Sequence, residues 1–242
     1  MSTTISSKIY KSRKTIIEYL ENQKYDVSGY KEFNENEVDA MFNNSELDML
    51  VELMPNEEEN KKNDDENISF ELKQYLEKYK EKSKKIYVKY YVSLKNNNKQ
   101  IKKPVLDQII EDLYFADIPA LDTDDTLIII IDDEPNQTII DEIKHLYESK
   151  QIFIIIFNME DLQSNTLEHE YVPPMKILDR ENTKKLIQQY NINPKYVDQK
   201  IPEANRFDAQ VKAIFLKPGQ ICSIERKSKT SLTYLFYRIC LN

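Results

Sequence analysis

Two short runs made almost wholly of apolar residues, Leu127 to Ile131 and Ile152 to Phe157, carry the strongest constraint in the chain. Each is too short for a buried helix and is rich in Ile, so each reads as a strand buried on both faces. Between them, Thr138 to Ser149 has helical spacing. Strand, helix and strand in that order imply a βαβ unit within a sheet covered on both sides. No apolar run approaches the roughly 20 residues a membrane-spanning helix needs. The first residues, Met1 to Lys8, hold no apolar stretch like a signal peptide. The expectation is a soluble, intracellular chain with no membrane partner.

Glycine and cysteine counts exclude further classes. Among 242 residues the only glycines are Gly29 and Gly219, and there are 2 Cys and 2 His. Phosphate-cradling loops need several glycines at fixed spacing, because only Gly lets backbone approach phosphate closely. Zinc fingers need four Cys or His at short spacing, whereas Cys222 and Cys240 lie far from His145 and His169. Two cysteines make no disulfide framework, and they suit a reducing compartment.

Periodicity fills in the remaining elements. A first helix runs from Ser7 to about Gln23, with Lys8, Lys11, Arg13 and Lys14 crowding its first half. A second opens near Asn36, with Asp39 as an approximate capping box. Ser45 to Met54 alternates like a strand. Glu57 to Glu66 has no apolar residue and reads as a linker, followed by a helix capped by Ser69 that bears Leu72, Tyr75, Leu76 and Tyr79. Lys85 to Leu94 is a strand, Asn96 to Asn98 a loop, and Pro104 opens a helix through Leu113. Charge then changes sign: residues 1–165 hold 21 basic and 34 acidic side chains, residues 166–242 hold 13 and 8. A domain boundary is placed there. The C-terminal part begins extended through Tyr171 to Pro174. Asp179 caps a helix to Tyr190, Pro194 starts a short turn, and Asp208 caps another helix. Lys217 to Gln220 is a type II turn with Pro then Gly at its centre, leading into strands Ile221 to Arg226 and Thr233 to Leu241. The last strand is apolar on both faces: Tyr234, Phe236 and Cys240 with Arg238 on one, Leu235, Tyr237, Ile239 and Leu241 on the other. Either the chain's own elements or a partner surface covers the second face.

Candidate chemistry is sparse. Asp124-Asp125 and Asp132-Asp133-Glu134 flank an apolar strand, where carboxylates can hold Mg²⁺. Loop charge on an acidic chain is the commoner explanation. Glu71-Leu72-Lys73 has the acid–lysine spacing of a nuclease, but on a helix. The histidines lack a nucleophile partner, and the two thiols read as inert and buried. The basic first helix, and Arg226 to Thr230, are candidates for nucleic-acid contact, with salt bridges as the alternative. No catalytic or metal-binding residue is assigned, and no cofactor.

An ordered set of C-terminal motifs resembles a known family. His169-Glu170-Tyr171-Val172-Pro173 is similar to the His-x-x-Val-Pro opening of the assembly domain in the fifth subunit of eukaryotic-type DNA-directed RNA polymerases, a family that includes its archaeal counterpart. Ile201-Pro202, Asp208-Ala209, Lys217-Pro218-Gly219-Gln220-Ile221, Arg226-Lys227-Ser228-Lys229-Thr230 and Tyr234-Leu235-Phe236-Tyr237-Arg238 follow in the family's order. Arg13-Lys14-Thr15, then Tyr25-Asp26-Val27, resembles its N-terminal pattern. The resemblance implies an α/β N-terminal jaw domain over 1–165, with a nuclease-like mixed sheet and helices but no nuclease activity, carrying an acidic insertion at about 57–84. It implies a small α+β C-terminal assembly domain over 166–242. The implied role is a non-catalytic subunit that docks on the largest polymerase subunit and meets other polymerase subunits, with the jaw making weak, non-specific contacts to downstream duplex DNA. Implied interface residues are His169, Val172, Pro173, Gly219, Arg226, Tyr234, Tyr237 and Arg238. Pro135, Asn136, Gln137 and Thr138 match the jaw loop closest to DNA. The only Mg²⁺ expected is in the partner's catalytic subunit. The setting is the nucleus for a cellular eukaryotic chain, or the cytoplasmic viral factory and virion for a large DNA virus.

Departures mark a diverged homologue. Lys24 replaces a Gly before Tyr25, Ala209 a Pro, Ser231-Leu232 a Gly-bearing turn, and Pro174-Met175 a charged pair. The alternatives are a divergent Mg²⁺-dependent nuclease and an adaptor outside transcription. Alanine at Asp132, Asp133 and Glu134 separates the first from a subunit, since only a nuclease has cleavage to lose.

Overall fold

The computed structural model describes residues 5–54, 69–78, 82–92, 101–228, 230 and 232–242, with side chains of 77 and 78 left aside. Tyr79, Leu94, Asn96 to Asn98 and the linker at 57–66 lie outside the described residues. The chain divides into two compact units: Met1–Met54 with Ser83–Asn165, and Pro55–Lys82 with Thr166–Asn242.

The first unit is built on a four-stranded sheet of order β1-β2-β3-β4, from Met49–Glu52, Lys85–Tyr91, Thr126–Ile131 and Phe153–Asn158. β1 is antiparallel to β2, and β2, β3 and β4 run parallel. Leu127 to Ile131 are each 0% exposed, which is why the sequence there carries no polar alternation. On one face, α4 (Lys103–Tyr114) and α5 (Gln137–Lys150) pack Leu106, Ile110, Ile139 and Ile143 against Ile129 and Ile154. On the other, α1 (Ile5–Asn22) brings Tyr19 to Phe157 at 6.2 Å between ring centres. The expected βαβ unit is therefore present.

Local signals set the helix ends. α2 (Glu35–Asn44) starts earlier than expected: Asn34 caps it by accepting from Glu37 N–H at 2.9 Å, and Glu37 accepts from Asn34 N–H at 2.9 Å. A Glu side chain reaches back to the cap amide, which the shorter Asp39 at the expected position does not. α1 ends in paired bonds from Tyr25 N–H to Leu20 O and from Lys24 N–H to Glu21 O. Lys24 sits in the left-handed region, with φ 70°.

The second unit holds a mixed sheet of order β5-β7-β8-β6. Its strands are Met175–Ile177, Ile221–Ser228, Leu232–Leu241 and Glu203–Asn205, given in sheet order. β7 and β8 form a long antiparallel hairpin, β5 adds antiparallel to β7, and β6 adds parallel to β8. α6 (Arg180–Gln189) is capped by Asp179, α7 is Val197–Lys200, and α8 is Ala209–Ala213. Asp208 stands at the cap position of α8, but its side chain makes no cap bond. Tyr171 and Val172 are not extended, since Val172 N–H closes a turn onto His169 O at 2.9 Å and the strand starts only at Met175.

Within the stretch 57–84, read from sequence as an insertion in the N-terminal domain, the described residues 69–78 group with the second unit, and Ser83 and Lys84 with the first. Its described helix α3 (Phe70–Lys78) begins where Ser69 accepts from Leu72 N–H at 3.3 Å. α3 buries Leu72 and Leu76 against Leu186, Ile187, Val197 and Ile239. Glu71 pairs with Lys195 at 2.8 Å. The helix thus contributes to one apolar core of the C-terminal sheet.

Candidate partner interface

The two faces of the β7–β8 hairpin differ along their length. At the inner end Ile221 and Ile239 belong to the core under α3, α6 and α7. Cys222, Ile224 and Cys240 belong to the core on the opposite face, with Val211, Ile214 and Leu216. The unit's own elements therefore cover both faces there. Burial pushes the Cys222 thiol up to about 11 and the Cys240 thiol up to about 12.

Toward the other end the flanking strands stop. β5 pairs only with Cys222 to Ile224, and β6 only with Ile239 to Leu241. What continues is a two-stranded ribbon whose apolar residues face water: Leu232 is 86%, Leu235 57% and Tyr234 42% exposed. Cross-strand pairing sets Arg226 beside Tyr234, and Ile224 beside Phe236, on one face. There the Phe236 ring is flanked by two guanidiniums, Arg226 at 4.8 Å and Arg238 at 5.4 Å from its centre. Such stacking holds Arg in a fixed plane while leaving its donors open. Arg238 donates to Glu203 O at 2.8 Å, and its buried Nε has no partner.

Other expected interface residues are spread around the sheet. Tyr237 is on the opposite face, edge-on to Tyr190 at 6.3 Å, and packs against the core. Gly219, at φ 89°, holds the turn before β7, its N–H bound to Cys240 O at 2.9 Å. Only Gly takes that φ without strain. His169, Val172 and Pro173 lie on the connector into β5, at the edge away from β8. His169 Nδ1 accepts from Tyr171 N–H at 3.4 Å. The structure thus joins Arg226, Tyr234 and Arg238 on one face and does not bring the other five beside them. Phe236, the ring that joins the two arginines, is absent from the expected set. Alternation within β8 puts it on the face of Arg238, but its approach to Arg226 follows from strand pairing.

In the first unit Asn136 caps α5 by accepting from Ile139 N–H at 3.0 Å, and Gln137 Nε2 donates to Asp141 at 2.8 Å. Gln137 and Thr138 are exposed. The preceding Asp132, Asp133 and Glu134 make this loop locally acidic. Asp124-Asp125 lies at the other end of β3, roughly 20 Å away for six extended residues. Asp125 is buried, accepting from Lys85 N–H and Asp122 N–H, each at 2.9 Å. The two acidic clusters therefore do not converge. Among the described residues no three His, Cys, Asp or Glu are grouped to hold a metal ion.

Arg13 corrects the nucleic-acid expectation for the first helix. It is 2% exposed, donates to Leu47 O at 2.6 Å and lies against the rings of Tyr30 and Phe33. Burial lowers its pKa. It pins the start of β1 and is not available to phosphate. Lys8 pairs with Glu160, while Lys11 and Lys14 remain exposed or nearly so along the same helix.

The C-terminal unit is thus a small mixed domain that buries its own core and leaves an aromatic and guanidinium ribbon exposed. Residues 164–240 match the family model for RNA polymerase Rpb5, C-terminal domain. The chain is 39% identical over 75 residues to DNA-directed RNA polymerase subunit Rpo5 of Pyrococcus abyssi, covering 31% of this chain and 87% of that protein. It is 36% identical over 78 residues to subunit Rpo5 of Methanosphaera stadtmanae, covering 32% and 96%. It is 31% identical over 93 residues to DNA-directed RNA polymerase subunit 5-like protein 1 of Arabidopsis thaliana, covering 38% and 42%. The chain belongs to the Rpb5/Rpo5 family, the fifth and non-catalytic subunit of DNA-directed RNA polymerase. Among the described residues no helix is long and apolar enough to cross a membrane.

Proposed function

We propose that this subunit docks on the largest subunit of a multisubunit polymerase through its C-terminal unit. Its N-terminal unit then forms part of the jaw near downstream DNA, nuclease-like in fold and without nuclease activity. The observation that carries the docking reading is the exposed ribbon from Leu232 to Leu235, with two arginines flanking the half-buried Phe236 beside it. His169, Val172, Pro173, Gly219, Arg226, Tyr234, Tyr237 and Arg238 form the interface, with Arg238 and Tyr234 as its anchors. The polymerase's Mg²⁺ is held by the partner, and this chain supplies binding energy and shape. Pro135, Asn136, Gln137 and Thr138 approach DNA through few phosphate contacts, which makes them salt-dependent and indifferent to sequence. The chain works where its polymerase works: the nucleus of a cell, or a viral factory and virion.

The test is recovery of the tagged chain from its native source, with mass spectrometry of its companions. The two large polymerase subunits are expected in near-equal amount, and Arg238→Ala is expected to lower their recovery about 30-fold. A folded Arg238→Ala chain that assembles normally would remove Arg238 from the interface. Absence of both large subunits from the unaltered chain would remove the docking reading itself.

A further inference from the structure

The outer edge of β8 is open backbone. Ile239 N–H bonds to Pro202 O on the β6 side, while Cys240 N–H bonds to Gln220 O on the β7 side. In a regular antiparallel ladder this alternation continues. The main-chain groups of Thr233, Leu235 and Tyr237 therefore point away from β7, and among the described residues no strand pairs with them on that side. Exposed edges are ordinarily blunted by Lys, Pro or a bulge, because they add strands from any chain they meet. From Leu232 to Tyr237 this edge has no charged residue and no Pro, and its register with β7 is unbroken. An unprotected apolar edge beside Arg226 and Arg238, neither of which has an ion-pair partner among the described residues, calls for an occupant of particular chemistry. The positive balance of residues 166–242 adds to the same preference.

We propose that the β8 edge from Thr233 to Tyr237 accepts an extended segment of the largest polymerase subunit as an added strand, one that alternates acidic with apolar residues. This rests on the docking reading above and deepens it. Acidic side chains of the added strand fall on the face of Phe236, where the stacked guanidiniums of Arg226 and Arg238 receive them. Apolar side chains fall on the face of Leu235 and Tyr237. Main-chain bonds to the edge supply affinity, and the alternation supplies specificity.

The test uses the full chain co-expressed with the largest subunit of its polymerase, with amide hydrogen exchange measured on the free and assembled forms. Assembly is expected to slow exchange at Thr233, Leu235 and Tyr237 on the order of 100-fold. Tyr234 and Phe236, already bonded to β7, serve as the internal reference. Leu235→Pro removes one outward N–H without touching the β7 ladder, and is expected to weaken assembly about tenfold. Arg226→Glu with Arg238→Glu is expected to weaken it by more than the about 30-fold of Arg238→Ala, through charge reversal. Assembly that leaves the three outward amides at their free-chain rates overturns the added strand while the docking reading stands. Failure of the unaltered chain to assemble overturns both. If Leu235→Pro loses the protection of Cys222 and Cys240 against thiol reagents, it is misfolded, and exchange on the unaltered chain decides alone.

Discussion

The two sheets of this chain dispose of apolar residues in opposite ways. In the N-terminal unit β3 is covered on both faces, and Leu127 to Ile131 are each 0% exposed. In the C-terminal unit only the inner end of the hairpin is closed, and Leu232, Tyr234 and Leu235 face water. The inner strands of the first sheet have consumed their hydrophobic surface, and Leu50 on the edge strand β1 is 37% exposed. The second sheet keeps some exposed, which isolated stability does not explain and the proposed docking would.

The sharpest way to break this contrast is chemical. Burial holds Cys222 at about 11 and Cys240 at about 12. A raised pKa makes thiolate scarcer, so at pH 8 labelling by a thiol reagent should be at least about 100-fold slower than in the denatured chain, and slower at Cys240 than at Cys222. Fast labelling would mean that the inner end of the hairpin is open too. A matched pair of truncations comes next. Ile129→Ala is expected to cost about 3 kcal/mol in thermal or denaturant unfolding. Leu235→Ala is expected to change stability by less than about 0.5 kcal/mol while weakening assembly. Equal losses from the two would erase the distinction.

Smaller effects sharpen the picture of the N-terminal unit. Asn136→Ala removes the cap of α5 and should cost about 1 kcal/mol, read by the same unfolding measurement. Lys24→Gly should stabilise by about 0.5–1 kcal/mol, because the residue stands at φ 70° at the end of α1, where Gly carries no steric penalty. Leu232, the first residue of β8, is also in the left-handed region, at φ 55°. By the family resemblance Lys24 replaces a Gly and Ser231-Leu232 a Gly-bearing turn, and the positive φ at Lys24 and Leu232 is where Gly carries no steric penalty. A destabilised Lys24→Gly variant would mean that the lysine makes a contact outweighing the strain.

Much of the fold is legible in the order of residues. The βαβ unit follows from unbroken runs of Ile. The caps at Asp179 and Ser69 and the turn at Gly219 follow from residue types with one local use. β5 and β6, each three residues long, leave no readable period. The capping box at Asn34 is displaced by two residues from its expected place, since two candidate acidic partners lie close together and only reach distinguishes them. The site is legible in part. Arg226, Tyr234 and Arg238 stand out through the family resemblance and share a face. Phe236 lies on the same face but does not stand out, because one of its two arginines, Arg226, comes from the opposite strand.

By itself, the sequence determined which segments are strands and helices, that no glycine-rich phosphate loop exists, and that the C-terminal part carries an ordered polymerase-subunit signature. Tertiary structure decided what those segments do with their surfaces. It put α3 onto the C-terminal core, hid Arg13 from phosphate, and kept the two acidic clusters at opposite ends of β3. It also let β5 and β6 stop short, so that half of β8 is left uncovered. Periodicity and residue type report how a segment meets its immediate neighbours in the chain. Burial and pairing depend on residues far away in sequence, and only the folded arrangement brings those together.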